Sequence, residues 1–364
     1  MIKRVGNFTI KTLSSMAPSQ YYLALYCPYK LILANAFKFN PLLPLNANAY
    51  FGSIIHKMIE LISKNVVVDE KTFSINWNSL INSKETELRE KGLESIVPIK
   101  YFVNDFALKK NQVKAIMHKR TASTKYLKDK SSNTYYTEKR LENQNKTIIG
   151  VADLIIENDL GVIILDFKSG KVYSNSVEEN KETELVVKKE YEMQLKLYAH
   201  LYYLMNSKYP QALFIVTLSN DFIEVKFKEY ECKEIYSEVL EFLAKVNLAI
   251  INEDFDKIAE PSAQNCKYCL YRPACNYYST WLINNFEYVN DLSGILINIT
   301  PFNNETIGIQ LYMGDKRILI NGLSILLKGT LNSLIGKNIT LYNLKKAKQT
   351  LNATANNFTV VYES

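Results

Sequence analysis

The chain has 364 residues, enough for a full core and, by length, about two domains. Its 47% apolar and 22% charged residues exclude a disordered chain, and no apolar run reaches the ~18 residues of a membrane helix. A formal net charge of +7 is compatible with a polyanionic partner without singling one out. Residues 1–30 have no charged-then-apolar leader pattern, so a cytoplasmic chain without a membrane segment is expected. In a reducing compartment its five cysteines point to metal binding or inert burial, not to disulfides.

Residues 19–39 are expected to be helical, with Ser19 as a possible N-cap. Pro28 interrupts them, which places Cys27 at a kink or at a junction of two helices. Tyr50–Ser63 reads as a second helix, with Ile54, Ile55, Met58, Ile59 and Ile62 on one face and His56 off that stripe. Residues 77–130 are mostly helix-forming. Eight Lys/Arg (Lys109, Lys110, Lys114, Lys119, Arg120, Lys125, Lys128, Lys130) crowd 102–130, as a solvated face or a nucleic-acid contact. His118 and His200 read as exposed helix positions.

The pattern then turns to strands at Tyr135–Leu141, Thr147–Ile156 and Val162–Lys168. A polar loop (171–186), a helix (Glu190–Tyr203), a hairpin (Leu213–Leu218 with Ile223–Phe227) and a helix (Cys232–Glu253) follow. Beyond residue 290 come three strand-like runs, Gly294–Thr300, Thr306–Tyr312 and Arg317–Asn321. A helix-like run, Leu323–Ile335, precedes two more, Asn338–Asn343 and Phe358–Glu363. That order is the order of a five-stranded OB-type barrel. Residues 288–364 carry seven Lys/Arg and four Asp/Glu, and Tyr312, Tyr342 or Phe358 could stack bases there. A protein-docking role for this module is equally open.

The chemistry concentrates at 150–171. Asp166 and Lys168, two apart on a strand, share a face, and a hairpin returns Asp153 to them. Two carboxylates beside one ammonium suit a divalent ion that handles a phosphate.

Gly150-x-x-Asp153, then Asp166-Phe167-Lys168-Ser169-Gly170, then Gln194-x-x-x-Tyr198 resembles the PD-(D/E)xK nuclease superfamily. It is most similar to the RecB-like branch of AddB and RecB nuclease domains and CRISPR-associated nucleases. Gly52-Ser53-Ile54-Ile55-His56 resembles that branch's early-helix motif. The resemblance implies that Asp153, Asp166, His56 and the Phe167 carbonyl bind Mg²⁺ or Mn²⁺. It implies that Lys168 activates or positions the attacking water, that Gln194 and Tyr198 face the site, and that Glu138 assists.

Cys266-x-x-Cys269-x5-Cys275 gathers three thiols, with Cys27 and Cys232 as candidates for a fourth. Spacing alone leaves zinc and a [4Fe–4S] cluster open. The resemblance implies a [4Fe–4S] cluster on Cys27, Cys266, Cys269 and Cys275, stapling the N-terminal helix to the end of the nuclease domain.

The expected fold is therefore α/β. A RecB-like nuclease domain at 1–285 has a mixed central sheet flanked by helices, a helical insertion (64–132) and a cysteine segment (264–278). An OB-like β-barrel follows at 288–364. The expected activity is metal-dependent cleavage of DNA, preferentially single-stranded and exonucleolytic, in repair, phage replication or defence. The alternative is a DNA-binding subunit of a larger complex with a vestigial site. No Gly-x-x-x-x-Gly-Lys-Ser/Thr occurs, so any helicase would be a separate chain.

Overall fold

The computed structural model describes residues 2–118, 133–175, 185–346 and 352–363. The chain begins with a short strand, β1 (Ile2–Lys3). Two helices, α1 (Pro18–Leu25) and α2 (Pro28–Ala36), meet at Cys27. The cap of α1 is Ala17, not Ser19, because Pro18 occupies the first helical position, where a missing N–H leaves no bond unmade. Asn46 caps α3 (Ala47–Ser63) by accepting from Ala49 N at 2.9 Å. The expected isoleucine and methionine face of α3 is buried.

Helices α4 (Glu70–Glu90) and α5 (Phe106–His118) fold onto α3 through Phe51, Phe73, Trp77 and Phe106. Of the basic run, Lys119, Arg120, Lys125, Lys128 and Lys130 lie outside the described residues. Lys114 pairs with Glu70 at 2.7 Å, and Lys110 sits 5.6 Å from the Trp77 ring centre. These two lysines have partners within the chain.

The first sheet contains β2 (Thr134–Glu142), β3 (Ile149–Asn158) and β4 (Gly161–Lys168). A ribbon of β5 (Tyr173–Asn175) and β6 (Leu185–Val187) forms from the ends of the segment expected to be a loop. Then come α6 (Lys189–Asn206), β7 (Ala212–Thr217), β8 (Phe222–Glu224) and α7 (Glu229–Ile251). The strand order is β2-β3-β4-β7-β8. The pairing is antiparallel except between β4 and β7, which α6 connects as a crossover. Helices α1, α2, α6 and α7 share one core with this sheet, and α3 to α5 share another. Strand β4 is therefore covered on both faces, which explains its unbroken apolar run.

Two short helices, α8 (Ala263–Cys266) and α9 (Asn276–Asn285), frame the cysteine segment. The second sheet follows with β9 (Leu292–Pro301), β10 (Thr306–Met313) and β11 (Lys316–Ser324). After α10 (Lys328–Asn332) come β12 (Asn338–Tyr342), β13 (Lys345–Lys346), β14 (Ala353–Thr354) and β15 (Val360–Glu363). The five expected runs are present in order, and α10 is shorter than the helix expected there. The last segment meets both ends of the sheet: β14 lies parallel to β11, and β15 antiparallel to β12. Strand β1 also pairs with β15, so the first residues of the chain belong to this second sheet. Tyr342 is 3% exposed, packed against Tyr362 and the Arg272 guanidinium, and cannot stack a base. Tyr312 and Phe358 are half-buried. No helix among the described residues is long and apolar enough to cross a membrane.

One buried arginine joins the two parts. Arg272 Nη1 donates to the carbonyls of Cys266, Lys267 and Cys269 at 2.7, 3.0 and 2.9 Å. Its Nε donates to Asp291 Oδ2 at 2.8 Å, and its Nη2 to Asn343 Oδ1 at 2.8 Å. Asp291 also accepts from Tyr278 OH and from Asn343 N, at 2.5 and 2.9 Å. Arg272→Met strands the Asp291 carboxylate in the interior. It should cost about 3–5 kcal/mol, the usual cost of halving a buried pair, read as a lower urea midpoint. Arg272→Met with Asp291→Leu should recover part of that loss.

Candidate active site

Strands β3 and β4 stay paired from Asn158↔Gly161 to Leu154↔Leu165, and then part. Beyond that point β3 follows β2, and β4 follows β7 as far as Lys168. The candidate residues gather in this fork. Asp153 Oδ2 accepts from Phe167 N at 2.7 Å, so a side chain takes up a backbone donor at the point of divergence. The Phe167 side chain is buried among the residues of α3 to α5.

His56 approaches from α3, with Nδ1 3.6 Å from Asp153 Oδ2, longer than a hydrogen bond. Burial alone would lower its pKa, but the charges of Asp153 and Asp166 outweigh burial and raise it. Gly52, one turn earlier, lets α3 come close: a Cβ there would stand 3.2 Å from Ser169 Oγ.

Asp166 is 3% exposed. Its Oδ1 accepts from Gln194 Nε2 at 3.1 Å. Its Oδ2 lies 2.7 Å from Lys168 Nζ, a buried ion pair. Burial pushes this carboxyl up to about 6, Lys168 opposes the rise, and Asp153 reinforces it. Lys168 Nζ also donates to Gln194 Oε1 at 3.2 Å and lies 4.7 Å from the Tyr191 ring centre.

Gln194 and Tyr198 stand one turn apart on α6 and face the fork, as expected. Gln194 Nε2 donates to Tyr198 OH at 3.1 Å, and Tyr198 OH donates to Val151 O at 2.9 Å. The glycine of Gly150-x-x-Asp153 follows from this contact. A Cβ on Gly150 would stand 2.5 Å from Tyr198 Cε1 and 2.9 Å from Pro18 Cδ. Glu138 is exposed on β2, at the register position across from Asp153. That one pair is missing from the ladder, and the Glu138 backbone is left-handed with φ 51°. Burial, then Asp153 and Glu60, raise its pKa.

Two neighbours escaped the sequence reading. Tyr191 lies three residues before Gln194, on the same helical face, and that spacing was the available signal. Glu60 lies one turn after His56 on α3. His118 is exposed as expected, but His200 is 4% exposed. Its Nδ1 lies 2.7 Å from Tyr209 OH and its ring 4.6 Å from that of Tyr236. Residues Met193–Tyr202 of α6 are all buried, between the sheet and α7, so no outward face is left at His200.

Cys27, Cys266, Cys269 and Cys275 line one pocket, bridging the start of α2 and the segment after α7. All are free thiols. Burial pushes Cys266 up to about 11 and Cys275 up to about 12, and raises Cys269. Cys232 is fully buried on α7 and does not line that pocket. Among the described residues no three His, Cys, Asp or Glu side chains are drawn closely enough together to hold a metal ion. The donor types are nonetheless those such groups take: a buried carboxylate with Asp153 and His56 nearby in one place, four thiols lining one pocket in the other.

The sequence profile of the PD-(D/E)XK nuclease superfamily matches residues 15–276, well over half of the chain, and the chain belongs to that superfamily. The matched stretch holds every residue of the fork. No curated protein matches the chain. Among solved structures the chain is similar to the crystal structure of SSO0001, at 15% identity and a TM-score of 0.23, covering 53% of this chain and 80% of that one. A likeness that loose carries no argument.

Gly150→Ala tests the geometry of the fork. It should displace Tyr198 and cost about 1–3 kcal/mol of stability by overpacking. A thermal melt at wild-type temperature would show that α6 tolerates the extra methyl.

Proposed function

We propose that this chain is a metal-dependent DNA nuclease of the RecB-like branch, acting preferentially on single strands and exonucleolytically, in repair, phage replication or defence. The observation that carries the reading is the Asp166 carboxylate, buried and paired with Lys168 beside Asp153 and His56. Asp166, Asp153, His56 and the Phe167 carbonyl would hold Mg²⁺ or Mn²⁺. Such an ion, when bound, lowers the pKa of a water and neutralises charge growing on phosphoryl oxygens.

Lys168 supplies a fixed positive charge for the scissile phosphate and orients the water. Gln194 holds the Lys168 ammonium and the Asp166 carboxylate with one amide, and Tyr198 fixes that amide by tying it to β3. Glu138 is poised across from Asp153 as a further carboxylate. The family implies DNA as the substrate, and any helicase would be a separate partner.

The cysteines support a [4Fe–4S] cluster on Cys27, Cys266, Cys269 and Cys275, with zinc as the alternative. Buried neutral thiols around a shared pocket gain a role once a metal deprotonates them. We also read 288–364 as an OB-like barrel. The support is the last segment, which pairs with β11 on one side and β12 on the other.

Asp166→Ala and Lys168→Ala should each reduce Mn²⁺-dependent cleavage of end-labelled single-stranded DNA by at least about 10²–10³-fold, the scale of losing one preorganised charge. DNA binding should persist in both, and retained cleavage in both overturns the site. Anaerobically purified protein should be brown, with a band at roughly 400 nm. A colourless protein with stoichiometric zinc would sink the cluster.

A further inference from the structure

A groove of about 810 Å³ runs between the cysteine segment and the second sheet. Two of its lining residues are large aromatics held out in solvent, Tyr268 at 70% and Tyr288 at 73% exposed. Tyr268 belongs to the cysteine loop, between Cys266 and Cys269, and Tyr288 precedes β9. Phe358, in the last segment of the chain, lines the same groove. It is positioned by an edge-on contact with Phe102 of the helical region, 6.3 Å between centres.

The charge of the groove has one sign. Asp291 is the one carboxylate among its described lining residues, and Arg272 and Tyr278 consume it. Lys267 is exposed in the lining, its ammonium 5.1 Å from the centre of the Tyr268 ring. An adjoining hollow shares Asn290, Leu344, Asn356 and Phe358 with the groove and adds Lys345 and Lys346, with no carboxylate among its described lining residues. The exposed amides of Gln264 and Asn290 complete the rim. Separated aromatic faces, amides and lysines are what unpaired bases and their phosphates require.

We propose that this groove binds single-stranded DNA, with bases stacked on Tyr268 and Tyr288 and phosphates met by Lys267 and Lys345. The identity of the strand rests on the nuclease reading above. The geometry of the groove does not. Arg272 is its positioning residue, because it fixes the loop that carries Tyr268 to Asp291, at the start of β9 beside Tyr288. The groove, not the buried Tyr342, is then the stacking surface of the C-terminal part.

The test uses the full chain and a fluorescent oligothymidine of about 20 nucleotides, longer than one stacking site of roughly 4–16. Binding is read by anisotropy with EDTA, so that cleavage is silent. Tyr268→Ala with Tyr288→Ala should weaken binding at least about tenfold, and the matching pair of Phe substitutions should restore it. Lys267→Ala should lower the slope of log affinity against log salt by about 0.7. With Mn²⁺, cleavage of an oligomer of about four nucleotides by the double Ala variant should stay within about twofold of wild type.

Wild-type binding by the double Ala variant overturns the groove, whatever cleavage does. If the wild-type chain cuts nothing while the double Ala variant loses binding, the nuclease reading fails and the groove stands.

Discussion

The constraint on which the site depends is a carboxylate buried at the end of a parallel strand. Asp166 has one oxygen on the Gln194 amide and the other paired with Lys168. A low-dielectric setting raises the cost of its charge and strengthens every interaction it makes. Around it α6 supplies a neutral scaffold rather than more charge. Gln194 and Tyr198 use three contacts to lock the amide, and the glycine at 150 exists to let Tyr198 in.

The fork supplies the rest. If β3 and β4 remained paired beyond Leu154 and Leu165, Asp153 would have no Phe167 amide to accept from. Parting the strands opens a concave edge between two layers of helices. Helix α3 then reaches Asp153 from one layer, and α6 reaches Asp166 from the other. The irregular backbone at Glu138 belongs to the same departure from a regular ladder.

A second buried charge, Arg272, does for the chain's architecture what Asp166 does for the site. It satisfies three carbonyls of the cysteine loop and one carboxylate of the following sheet. The loop is therefore shaped by protein hydrogen bonds as well as by whatever its thiols bind. The same arginine fixes how the cysteine segment and the second sheet face each other, and so the groove between them.

The sequence by itself determined what local spacing can encode. Asp166 and Lys168 share a strand face because the period of a strand is two, and Gln194 and Tyr198 share a helix face because they are four apart. Pro28 split the first helix at Cys27 because proline lacks the donor a helix interior needs. Only the tertiary structure decided which faces are covered. It buried His200 and Tyr342, which spacing left exposed, because α7 and the Arg272 cluster close over them. It also decided where β3 leaves β4, how Tyr191 meets Lys168, and that Tyr268 and Tyr288 line one groove. Those are contacts between segments far apart in the chain, and no period of two or 3.6 residues carries them.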